Sequence, residues 1–319
     1  MCLSAGLYLY FSRDASRQQS SVKRPVLSNP ALPPSNPSRR TPGELKQRAL
    51  QRTPAAPATN SMAPFISTLG PGATTYLGGM AALRALPPIL STNQVATLRT
   101  VIATPYSRTF PLSPLEFNGV KNVAADILLR QPGFPADLLA DLALQSSDPA
   151  QDEVWRDYCL QMLTTGYLNL SGRGRSLRQL PDADSDLDAP AARELALDVL
   201  MSAASAGGGT WPGTALLGLN TILASNPAAF PRAELDTRIL AVLADPSASE
   251  AAQITAVRLA GTAGMLAARS DLERLAASPS GLVRAVAVKS LSELDKAATS
   301  EASAVSGRAT QSAQANAVL

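Results

Sequence analysis

Residues 229–259 read AFPRAELDTRILAVLADPSASEAAQITAVRL, and residues 133–163 read GFPADLLADLALQSSDPAQDEVWRDYCLQML. Each opens on Phe-Pro, runs through an amphipathic stretch, turns at Asp-Pro and returns through a second amphipathic stretch. Phe134 to Pro149 is 15 residues, and Phe230 to Pro246 is 16. In the earlier copy Leu138, Leu139 and Leu142 mark one helical face, and Val154, Trp155, Tyr158, Cys159 and Met162 mark the next. Proline cannot continue a helix, so each Asp-Pro separates two of them. One paired-helix unit is used twice.

Working outward, hairpins of this kind begin near Asn93, Phe134, Ala189, Phe230 and Ser270, at intervals of 41, 55, 41 and 40 residues. Paired helices repeating at this length predict an all-α chain, an α-solenoid of about five helical hairpins over 92–295. Composition agrees. Aromatics are 4% against 45% hydrophobic residues, so the core is mainly Leu and Ala, which suit helix packing better than sheets. Before the first Phe-Pro unit, Thr92 or Asn93 can cap a helix carrying Val95, Leu98 and Ile102. Ser113-Pro114-Leu115-Glu116 is a capping box with proline at the first helical position. The helix after it places Val120, Val123, Ala124, Ile127 and Leu128 on one face, and Pro132 ends it.

Residues 271–291 read DLERLAASPSGLVRAVAVKSL. This stretch resembles a HEAT repeat, with its Leu-rich helix, Asp/Ser-Pro turn and Ala-rich helix containing Val-Arg. Asp245-Pro246 followed by Ala256-Val257-Arg258-Leu259-Ala260 is similar. The resemblance is strong over 230–295 and extends more weakly over 92–229, where no Val-Arg pair follows Asp148-Pro149. It implies a right-handed armadillo-type superhelix and a protein-binding scaffold, and structural roles for Arg258 and Arg284. HEAT repeats share a fold rather than a function.

The rest of the chain divides by composition. Residues 1–11 are apolar, but the run from Leu3 to Phe11 is shorter than the ~20 residues that a spanning helix needs. A frayed tail and the end of a membrane anchor both remain open as readings. Residues 12–64 hold nine prolines and predict a disordered basic linker, with a short helix near Pro42–Gln51 as an option. Residues 1–64 carry nine Lys/Arg against two Asp/Glu; the remainder carries 19 against 23. The basic character therefore belongs to the N-terminal segment, not to the repeats. Residues 65–91 form an irregular capping region, with a capping helix expected near Ala81–Leu86. Gly70-Pro71-Gly72 there has Thr75 where a dinucleotide-binding loop needs its third glycine. Residues 296–319 lack apolar periodicity and predict a frayed helix or disordered tail.

Function classes narrow by subtraction. The chain has no histidine, which removes Ser-His-Asp and Cys-His catalysis and histidine metal sites. Cys2 and Cys159 make neither a disulfide framework nor a zinc site, and Cys159 reads as a small buried hydrophobe. No catalytic set, cofactor or metal is expected. The anticipated partner is another protein; nucleic-acid or anionic-surface binding through the basic N-terminal segment is the alternative, disfavoured because no aromatics interleave with its arginines.

Candidate binding residues sit where the 55-residue interval is longest. Residues 165–188 form an insertion, and insertions in helical repeats map to loops on one face. Arg173, Arg175 and Arg178 come first in it, and Asp182, Asp184, Asp186 and Asp188 follow. The arginines suit a partner's carboxylates or phosphate, or pair with the neighbouring aspartates. The alternating aspartates imitate a calcium loop, but its sixth position is Leu187 and its twelfth Arg193. A solvated loop in which Asp188 caps the next helix is the better reading. Trp211 follows the glycine turn Gly207-Gly208-Gly209, which lacks the Lys-Ser/Thr of a phosphate loop. Core packing and an exposed interface anchor are both open for it.

Overall fold

A computed structural model describes residues 75–108, 110–131, 137–171, 189–205 and 207–316, with side chains as far as Thr299. The described residues are all-α: eleven α-helices, one short 3₁₀ turn and no strand. The helices are α1 (Tyr76–Arg84), α2 (Thr92–Ala103), α3 (Pro114–Leu129), α4 (Asp137–Ser147), α5 (Glu153–Leu170) and α6 (Ala189–Ala204). Then come α7 (Trp211–Ser225), α8 (Arg232–Ala244), α9 (Glu250–Thr262), α10 (Arg269–Ala276) and α11 (Gly281–Asn316).

Local chemistry sets the starts. Ser113 caps α3 by accepting from the Glu116 amide, and the Glu116 carboxylate accepts from the Ser113 amide at 2.8 Å. Those bonds hold the Glu116 carboxyl below its usual range. A second capping box starts α2. Its cap is Ser91, ahead of the expected Thr92 or Asn93, because Gln94 stands three residues after Ser91 and returns the bond.

The two Asp-Pro turns fold alike. Asp148 accepts from the Ala150 amide at 2.9 Å, and Asp245 from the Ser247 amide at 2.8 Å. The Gln151 amide reaches the Asp148 carbonyl at 3.1 Å, and the Ala248 amide reaches that of Asp245 at 3.2 Å. Four residues after each Asp, Asp152 and Ser249 cap α5 and α9. At the third turn the Arg284 guanidinium donates to the Ser278 carbonyl at 2.9 Å.

The principal helix contacts join elements one or two apart in the chain. Within pairs, α2 packs on α3, α4 on α5, α6 on α7, α8 on α9 and α10 on α11. Along one row α1, α3, α5, α7, α9 and α11 touch in succession; along the other α2 meets α4, α4 meets α6, and α8 meets α10. Leu and Ala fill the space between: Leu138, Leu142, Leu163, Leu216, Leu219, Ala256, Ala260 and Ala287 are all fully buried. Glycine permits the closest crossings. A Cβ on Gly261 of α9 would lie 2.6 Å from Ser290 Cβ of α11, and one on Gly213 of α7 would lie 3.0 Å from Ala252 Cα of α9. A Cβ on Gly218 of α7 would collide with Thr164 Oγ1 of α5.

Two further boundaries differ from the sequence reading. The capping helix spans Tyr76–Arg84 rather than 81–86, because the Thr75 hydroxyl accepts from the Gly78 amide and starts it earlier. The first six residues assigned to the insertion, Thr165–Leu170, complete α5, which ends only where Ser171 donates back to Tyr167 and Leu168. Helix α11 runs on to Asn316, through most of the region read as a frayed helix or disordered tail; its Ala, Ser, Glu and Gln composition contains no proline to stop it. Phe134, the expected start of the second hairpin, lies outside the described residues.

Candidate functional site: the start of helix α5

Of the residues singled out in the sequence, Arg173, Arg175, Arg178, Asp182, Asp184, Asp186 and Asp188 lie outside the described residues. Trp211 is described. It opens α7, partly buried and packed against the core. The Arg156 guanidinium lies 3.8 Å from its ring centroid, a cation–π stack, and donates through Nε to the Ser146 carbonyl at 3.0 Å. Beside it the Thr210 hydroxyl donates to Asp157 at 3.1 Å. The chain reaches Trp211 through Gly208 and Gly209 at φ of 80° and 64°, left-handed values that glycine adopts without strain. A Cβ on Gly209 would also meet Glu153 Oε1 at 3.0 Å. Arg156 thus ties the end of α4, the start of α5 and the start of α7 together.

One turn away, on the inner side of α5, sits Lys121 of α3. It is 1% exposed. Its ammonium donates to Gln151 Oε1 at 2.7 Å, and Gln151 in turn donates to the Ala103 carbonyl at the end of α2 at 3.0 Å. The Phe117 and Trp155 rings stand 5.1 Å and 4.9 Å from Nζ. Asn118, also buried, donates to the Asp152 carboxylate at 2.5 Å, while Asp152 caps α5 through the Val154 amide at 3.0 Å. Phe117 continues into an aromatic cluster, 5.1 Å from Phe110 and 6.2 Å from Tyr106.

Burial decides the electrostatics here. Desolvation pushes Lys121 down to about 7, against smaller opposing attractions from Cys159, Asp152 and Asp148. The Cys159 thiol, fully buried, is pushed well above its ordinary value by the same cause, so it is a packing group and not a nucleophile. Trp155 Nε1 is buried without a hydrogen-bond partner among the described residues. Through Gln151 the enclosed amine links α3 to the turn before α5 and to the end of α2.

The sequence reading picked Trp211 but passed over Lys121, Asn118, Gln151 and Asp152. A signal existed. Phe117, Val120, Lys121, Ala124 and Leu128 fall at the i, i+3, i+4, i+7 and i+11 places of one buried stripe. A lysine in that series is an inward-facing charge. Among the described residues no helix is long and apolar enough to cross a membrane. The chain matches no known protein-family model, no curated protein and no solved structure.

Proposed function

We propose that this chain is a non-enzymatic protein-binding scaffold, a HEAT-like right-handed solenoid of about five hairpins. The observation that carries the reading is the contact order. Each helix of the long row packs on the helix two places before it, and the Asp-Pro unit recurs with the same hydrogen bonds. Stacked hairpins of this kind bury a continuous core and present long surfaces to partners. The binding role is assigned to the segment 172–188, with its split arginines and aspartates, and separately to the Arg156–Trp211 stack at the start of α5. Membrane tethering through residues 1–64 belongs to the same proposal, motivated by the apolar start and the proline-rich linker.

The test is to tag the full chain, express it in its host, crosslink it, and identify what co-purifies from soluble and membrane fractions. The same capture is repeated after deleting 172–187, which spares α5, and with Trp211→Ala. A discrete protein lost with the deletion, at unchanged thermal stability, supports the scaffold. Recovery of nucleic acid that is released at moderate salt transfers the function to the basic N-terminal segment. Full retention of every partner by both variants removes the segment and the stack from the proposal.

A further inference from the structure

Where α3 meets α5 and the turn before it, the hydrogen bond that Lys121 Nζ donates goes to a neutral group. Lys121 Nζ has the Gln151 amide oxygen, two aromatic faces and no exposure to water. The titratable and charged groups around it come from α5 and the turn before it: Asp148, Asp152 and Cys159. Asp152 is already committed to Asn118 and to the cap of α5. From α1, the Tyr76 ring packs at Gly119 of α3. From α2, Arg99 is engaged with Asp141 of α4 at 2.6 Å.

We propose that the α3–α5 contact is a proton-sensitive joint: a proton on Lys121 Nζ places a poorly solvated ammonium between two neighbouring hairpins and loosens them, and its loss tightens them. The step is a simple acid–base exchange with solvent during local opening, in which ammonium becomes amine and one proton leaves.

The direction follows from linkage. Below about 7 the folded and unfolded chains both hold the proton, and the cost of burying the charge is complete. Between about 7 and the ordinary lysine range only the unfolded chain holds it, so stability rises with pH across that window. No imidazole titrates within this window, but towards its upper end the Cys159 thiol ionises only in the unfolded chain and opposes the rise.

Lysine occurs only at positions 23, 46, 121, 289 and 296, so a ¹³C-lysine NMR titration of the full chain resolves each Cε, with Lys121→Met identifying the relevant signal. One lysine with a midpoint near 7 is the expected result; five lysines all titrating above about 9 would overturn the proposal. Denaturant unfolding supplies the second readout. The unfolding constant should fall about fivefold between pH 7 and 8 in the parent chain, below the range where Cys159 opposes it, and this fall should vanish in Lys121→Met. An unchanged slope in the variant refutes the joint. Should the variant not fold, the parent titration alone decides.

Discussion

The α3–α5 contact and the α9–α11 contact belong to the same row of helices and solve the same crossing in opposite ways. The first fills it with volume: Phe117, Trp155 and the stem of Lys121, closed by a polar network. The second removes volume, setting Gly261 against Ser290 with Ala260 and Ala287 alongside. Bulk leaves an interface open to charge and to truncation. A glycine crossing is governed by sterics and offers nothing to titrate. One row of similar helices therefore contains a joint sensitive to chemistry and others sensitive only to size.

The contrast can be broken most forcefully at Trp155. Trp155→Ala should cost about 3–5 kcal/mol by leaving a cavity among buried rings, read as a lower midpoint in urea unfolding. At the other crossing the opposite substitution is the damaging one. Gly261→Ala forces a Cβ onto Ser290 and should cost about 1–3 kcal/mol, with Ser290→Gly recovering a good part of it. A double-mutant cycle measures that coupling, and additivity would contradict the close approach. Ser113→Ala, which removes the cap of α3 without touching either crossing, should cost about 1 kcal/mol and leave the pH dependence assigned to Lys121 intact. Smallest is Arg156→Gln, expected to lose about 0.5–1 kcal/mol of cation–π stacking and to change the fluorescence of Trp211 while leaving both crossings unaltered.

Much of this architecture is legible in the residues because turn chemistry is local. The Asp-Pro pairs at 148 and 245, the Ser-Pro at 278 and the capping box at 113–116 each specify a backbone break within four positions, and each falls between or at the start of helices. The chain's all-α character follows from the same signals together with the scarcity of aromatic and β-branched residues. What local patterns did not reveal depends on pairing across distance. The stripe of α3 turns Lys121 inward, but what receives it does not follow from that stripe, because Gln151 lies 30 residues away in sequence. Gly261 looks like a helix weakness until Ser290 is placed against it. The insertion boundary at 165 failed because a polar, glycine-containing run can still finish a helix when its other residues, such as Tyr167, bury against the core. The arginines and aspartates at 173–186 carry a pattern of charge but no geometry, so their part in binding rests on the capture experiment.

The nearest-neighbour order of the contacts has a consequence for how the chain is made. Each hairpin packs chiefly on helices one or two places away, so a pair leaving the ribosome finds its upstream partners already synthesised. Local contacts of this kind close short loops and form quickly. Synthesis can then proceed without long stretches of exposed apolar surface waiting for a distant segment, and the growing end at any moment needs shielding over little more than one unfinished hairpin.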